Sequence, residues 1–415
     1  MDSLSQRVRG ISVRKRWSWS ARGSFVFMLL MLLLTAAVPI AISEPIAAQS
    51  NQPTAKSQSA CAANIVSAAD NLLAAVDSPN AIALAEQSPQ FRTDLAGHDY
   101  QFFTIGAVAS FDSATCGDVA LTKLSVDFTV TGLYLTSEGM TVPQGITVFE
   151  NPASTAVLDV TMDNSTVQGL SYFSGYESQY VVSGSAKALL DTEQYYYQPS
   201  IGHNSYCGYY SQYNTALQCA FSMWSGISAN YGGGGFLVQS GTDNFEQCYN
   251  IKGHVGCNNP VYTTWWEWLP GHPPITYGGT LSTGDQVTPN EENMAFSGGP
   301  LNTYQANVID WTANWVGLSG NLNVGQNAYW AQSEFEIPSI GSAALPTFSP
   351  ITLDYVDLCW ASNACADFGG SNTPTTTDSM INYCPSLGTN VQNILLSSFN
   401  IVGDYTQTYN TNCGT

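Results

Sequence analysis

The hydrophobic rhythm of the chain changes several times along its length. From Phe25 to Ile42 nearly every residue is apolar, behind a segment that carries Arg7, Arg9, Arg14, Lys15, Arg16 and Arg22 and ahead of Ile46-Ala47-Ala48-Gln49. A basic start, an apolar centre and small residues at the end mark an export signal. The run also borders on the length of a membrane span, so an uncleaved anchor is the alternative. Asn51 to Ser59 is polar and predicts a linker, and Cys61 to Val76 places apolar residues at helical spacing. From Tyr100 the period shortens to two. Leu124 to Val130 and Ala156 to Met162 alternate as half-buried strands do. Residues 60 to about 165 therefore read as a small α+β region, set apart from the C-terminal remainder of the chain.

From Val167 onward no long helical pattern occurs. Short runs rich in Tyr, Thr, Val and Trp alternate with Gly, Asn, Pro and Ser clusters, as in Tyr180 to Gly184 and Gly278 to Asp285. That is the pattern of an all-β sandwich or barrel of about 200–250 residues, still one domain. Trp224-Ser225-Gly226-Ile227 and Trp315-Val316-Gly317-Leu318 echo each other, but two copies of four residues make no repeat.

Charge narrows the function. The 415 residues hold 31 Asp and Glu against 11 Lys and Arg, a formal net charge of -20. Beyond Ser24 only Lys56, Arg92, Lys123, Lys187 and Lys252 remain, so nothing neutralises phosphates and a nucleic-acid partner is excluded. A chain with so few cations also repels itself little once acid neutralises its carboxylates. Its 10 cysteines all lie beyond the apolar run, and no Cys-x-x-Cys occurs. With only 4 His a zinc site is poorly supported. Export and an even count favour disulfides, and sequence neighbours suggest Cys61–Cys116, Cys207–Cys219, Cys248–Cys257, Cys359–Cys365 and Cys384–Cys413, although spacing does not fix connectivity. Gly232 to Gly235 is no phosphate loop, because no Lys-Ser/Thr comes after it. No Ser-His elbow and no paired Asp-Thr/Ser-Gly motifs are present either.

The remaining chemistry lies in strand-like runs. One carries Gln239-Ser240-Gly241, a second Trp266-Glu267-Trp268-Leu269-Pro270, and a third Gln332-Ser333-Glu334-Phe335-Glu336-Ile337-Pro338. A carboxylate can take a proton from water, and an amide N–H can hold the oxyanion that water creates on a peptide carbonyl. Together with Tyr172-Phe173-Ser174-Gly175-Tyr176 and Trp224-Ser225-Gly226-Ile227-Ser228, these blocks stand in an order and rough spacing that resemble the glutamic peptidases, the eqolisin family of acid endopeptidases. The resemblance covers about residues 167–358. Phe173 stands where the family has Trp, Ser228 where it has Asp, and Gln332 where it has the first Glu of the late block.

The resemblance implies a concanavalin-like antiparallel β-sandwich over residues 166–415; the residues before it read as a signal or anchor (1–48) and a pro-region or accessory α+β domain (49–165). It implies Glu336 as general base and then acid, and Gln239 as oxyanion donor. Trp224 and Phe173 would line the substrate cleft and Glu267 would support the site. Glu334 shares a strand face with Glu336, so the sequence leaves it open as the catalytic carboxylate. The resemblance implies no cofactor and no metal, a polypeptide substrate and a monomer; the export signal implies a secreted location, with membrane contact only through an uncleaved 25–42. A non-catalytic sandwich that binds glycans or cell surfaces is the rival; Tyr195-Tyr196-Tyr197 suits it. An enzyme needs Gln239 and Glu336 close enough to share a water, and a binder does not.

Overall fold

In the computed structural model, described residues are 55–94, 99–135, 141–150, 157–163, 172–202, 217–229, 235–251, 254–257, 259–269, 272–295, 298–337, 345–361, 364–378, 381–384, 389–392, 394–398 and 404–409. The expected signal or anchor, with its apolar run 25–42, lies outside them. Among the described residues no helix is long and apolar enough to cross a membrane.

Two antiparallel sheets dominate. The larger orders its strands as Ile394–Leu396, Tyr405–Tyr409, Ile351–Ala361, Asp191–Tyr197, Gln286–Asn293, Thr303–Asp310, Trp315–Leu318, Tyr100–Asp112, Gly117–Leu135, Thr141–Glu150 and Val157–Asp163. The smaller runs His272–Thr276, Val261–Leu269, Leu237–Ile251, Leu217–Ser228, Trp330–Ile337, Tyr172–Ser178 and Thr375–Asp378. Their inner faces pack as a sandwich: Val238, Ile227, Met223 and Phe335 of the smaller sheet meet Tyr196, Val287, Val308 and Leu353 of the larger. Trp266 belongs to this core and stacks on Phe103, ring centroids 6.4 Å apart. Inward-facing hydroxyls pair across the gap: Tyr196 and Thr242 hydroxyls lie 2.9 Å apart, and Ser240 Oγ lies 2.6 Å from Glu291 Oε1. Buried polar groups persist when bonded in this way.

The region expected to stand apart does not. Tyr100–Asp112 pairs with Trp315–Leu318, so the hairpins before residue 165 extend the larger sheet, and Pro53–Thr415 is one compact unit. Period-two alternation shows that a segment is a strand but not which strand it joins. The helix Ala55–Ala74 begins inside the expected linker, because Ala-Lys-Ser-Gln-Ser-Ala is itself helix-compatible. Its Ile65, Val66 and Ala69 cover the outer face of the larger sheet at Leu124, Val126, Ile309 and Val316. Two further helices are Ser78–Gln87 and Pro89–Asp94, the first capped by Asp77 through the Asn80 N–H.

Leu124 to Val130 falls inside the strand Gly117–Leu135, and Ala156 to Met162 overlaps Val157–Asp163. Tyr180 to Gly184 keeps only the two-residue strand Val181–Val182 before a turn at Ser183 and Gly184. Gly278 to Asp285 forms no strand; Gly284, at φ +86, turns the chain there. Disulfides join Cys61 to Cys116 and Cys359 to Cys365. Cys248 and Cys257 are directly opposed in their ladder. The side chains of these two and of the other four cysteines lie outside the described residues.

Candidate functional site

The outer face of the smaller sheet carries the residues singled out from the sequence. On its strands the sequence alternates Gln239-x-Gly241-x-Asp243, Ser222-x-Trp224-x-Gly226, Gln332-x-Glu334-x-Glu336 and Trp265-x-Glu267. Intervening residues such as Val238, Met223 and Phe335 point into the sandwich. Side chains two apart share a face, so the polar set is delivered to one side.

The register sorts this set into three rows. The first runs Glu267, Gln239, Gly226, Gln332, Glu177 across five strands. The second runs Trp265, Gly241, Trp224, Glu334, Gly175. The third runs Asp243, Ser222, Glu336, Phe173. Gln239 and Glu336 thus share a face but not a row. Gln239 stands beside Gly226 and Glu336 beside Ser222, four positions along one strand, or about 13 Å at a strand's ~3.4 Å rise. The residue across Gly226 from Gln239 is Gln332. The geometry of one water shared by Gln239 and Glu336 is not what this register gives.

The first row is buried and internally paired. Gln239 Nε2 donates to Glu267 Oε2, and Gln332 Nε2 donates to Glu177 Oε1 at 2.7 Å. The carboxylates thereby fix both amides with their oxygens turned away, and neither oxygen accepts a hydrogen bond among the described residues.

The second row is held by small residues. The Trp224 indole lies along its own strand over Gly226; a Cβ there would come within 2.9 Å of its Cζ3. Glu334 is 2 % exposed and its carboxylate lies over Gly175, where a Cβ would come within 2.5 Å of Oε2. The structure thus places Glu334 on the face shared by Glu336, but in the closed middle row.

The third row is where the face opens: Asp243 and Glu336 are both half-buried, whereas Gln239, Glu267, Trp224 and Glu334 are buried. Trp224 Nε1 donates to Glu336 Oε2 at 3.1 Å. Burial pushes the Glu336 carboxyl up to about 8; the Trp224 bond offsets part of this and the charge of Asp243 adds to it. Ser222 Oγ donates to Asp243 Oδ1. Phe173 completes the row by register, and its side chain lies outside the described residues.

Asp243, Ser222, Glu177 and Gln332 were not singled out as acting residues from the sequence. The signal for Asp243 was present: it lies four residues after Gln239 and so on its face. Ser222 and Glu177 have no signal until the register is known. Elsewhere, Asp357 lies with the sulfurs of Cys359 and Cys365 within 4.8 Å, but those sulfurs are joined to each other and offer no thiolate to a metal.

No family model matches the chain, and no curated protein is similar to it. Among solved structures it is similar to the crystal structure of scytalido-glutamic peptidase with a transition state analog inhibitor, with a TM-score of 0.39 and 14 % identity over 58 % of this chain and 98 % of that chain.

Proposed function

We propose that this chain is a secreted, acid-acting endopeptidase whose proton-transfer group is Glu336. The observation that carries the reading is the pairing of Glu336 with the Trp224 indole in the half-buried row of the polar face. A carboxyl kept protonated there can give its proton to the leaving nitrogen of a peptide. The hydrolysis needs no metal ligand and no thiol from the chain.

Gln239 serves the same substrate at a distance. Four residues of extended peptide span the ~13 Å between the third and first rows. The buried amides of Gln239 and Gln332 and the buried Trp224 ring then form the floor beneath that peptide. Glu267 and Glu177 orient the two amides. Catalysis and substrate grip are thereby divided along the face. Residues 49–165 add strands to the same sandwich, so their proposed role is to complete the enzyme's larger sheet.

The test is a split of kinetic constants on a denatured protein substrate at acid pH. Glu336→Gln is expected to lower kcat by about 100-fold or more, the scale of a lost proton-transfer group. Gln239→Ala is expected to raise KM and leave kcat within a few-fold. Full activity in Glu336→Gln contradicts the reading.

The register favours a second reading. Gln239 faces an amide across Gly226, and an amide takes no proton from water. On that observation the face is a peptide- or glycan-binding surface without hydrolysis. Saturable binding of a denatured protein with no cleavage at any pH from 2 to 7 selects it.

A further inference from the structure

The third row contains a second carboxyl besides Glu336. Asp243 and Glu336 occupy the same row on the two strands that flank Ser222, so their Cα atoms are two strand spacings apart, about 10 Å. The Ser222 hydroxyl spends its hydrogen on Asp243, and Ser222 stands opposite Glu336 in the neighbouring strand. On its other side Asp243 is paired with Thr263, which carries no charge. Trp224 holds Glu336 from the second row. The two carboxyls therefore differ in surroundings: Asp243 accepts a hydroxyl bond, and Glu336 sits against an indole.

We infer that Asp243 is the general base of this site, with Ser222 as the proton relay that returns the pair to its starting state. The assignment rests on the peptidase reading of Glu336. In the first step water adds to the peptide carbonyl carbon. The new C–O bond forms as one water proton passes to the Asp243 carboxylate. In the second step the C–N bond breaks as Glu336 gives its proton to the departing nitrogen. The enzyme is left with Asp243 protonated and Glu336 ionised. One proton moves from Asp243 through the Ser222 hydroxyl to Glu336, and the charges are restored. No metal, oxidant or co-reactant enters.

The experiment is the pH profile of kcat/KM for the full chain and three variants, each first shown to keep the wild-type thermal transition. The wild-type profile is expected to be bell-shaped, its acid limb set by ionisation of the base and its upper limb by loss of the acid's proton. Asp243→Asn is expected to lose kcat by about 100-fold or more and to lose the acid limb, with KM within about two-fold. Ser222→Ala is expected to lower kcat by about 10-fold, and Ser222→Thr, which restores a hydroxyl, to recover most of it. A wild-type chain that cleaves while Asp243→Asn cleaves equally well, with the acid limb intact, overturns the assignment alone. A wild-type chain that cleaves nothing overturns the peptidase reading and takes the assignment with it.

Discussion

Trp224 Nε1 donates to Glu336 Oε2 at 3.1 Å across two neighbouring strands of the smaller sheet. The bond partly offsets the burial that raises the Glu336 carboxyl to about 8, because an N–H stabilises the charged form. Trp224→Phe keeps an aromatic ring over Gly226 and removes the donor. Glu336 should then hold its proton to a higher pH than in the wild type. Titration of Glu336 by carboxyl-resolved infrared or carbon NMR checks this; a Glu336 midpoint that falls in the variant contradicts it.

Gly226 is required by the same indole. A Cβ at this position would come within 2.9 Å of the Trp224 ring and 3.0 Å of the Leu237 side chain. Gly226→Ala should therefore push the ring aside, loosen the Glu336 contact and cost on the order of 1–3 kcal/mol of stability, as overpacking does. Thermal unfolding together with the Glu336 titration reads both effects. An unchanged transition and an unchanged titration would show that the ring does not rest on Gly226.

Stability should be greatest in acid. Burial raises Glu291 to about 8, Asp310 and Asp354 to about 6, and Asp191 and Asp357 well above their ordinary range. Each folded-state value lies above the unfolded one. Below about pH 4 both states are protonated and no penalty applies. As pH rises from about 4 to about 8 the unfolded chain gives up protons that the fold retains, and stability is lost. Glu291 alone, fully buried between the sheets beside Ser240, accounts for several kcal/mol at about 1.4 kcal/mol per unit. The melting temperature should fall across that window, and Glu291→Gln should flatten the fall. A melting temperature that climbs from pH 4 to pH 8 contradicts the assignment.

The Cys61–Cys116 bridge ties the first helix to the hairpin that extends the larger sheet, across a sequence separation of 55. Replacing both cysteines by Ala should cost about 2–5 kcal/mol. The loss should appear first in amide exchange over Ala55–Ala74 and Gly117–Leu135. Wild-type exchange in the double variant would show that packing of Ile65 and Val66 suffices without the bridge.

Much of the fold could be read from the sequence because burial writes itself into periodicity. The alternation at Leu124 to Val130 marked a strand, and that strand is there. The pairing of Cys61 with Cys116 and of Cys359 with Cys365 also joins sequence neighbours. The register could not be read. Gln332, Glu334 and Glu336 share one face, and each slide of two residues would set a different one across Gly226 from Gln239 with no change in apolar pattern. The same degeneracy hid the joining of Tyr100–Asp112 to Trp315–Leu318, since alternating segments advertise a buried face but not a partner edge. Ser222 escaped notice because its importance comes wholly from lying between Asp243 and Glu336.

The most direct test of the central claim is cleavage of an acid-denatured protein by the purified full chain, read by mass spectrometry from pH 2 to pH 8, beside Glu336→Gln of equal thermal stability. The expected result is internal peptide cleavage by the wild type on the acid side of neutral, fading as pH approaches 8, and about 100-fold less product from the variant. Cleavage by both proteins alike, or by neither while both remain folded, contradicts the role given to Glu336.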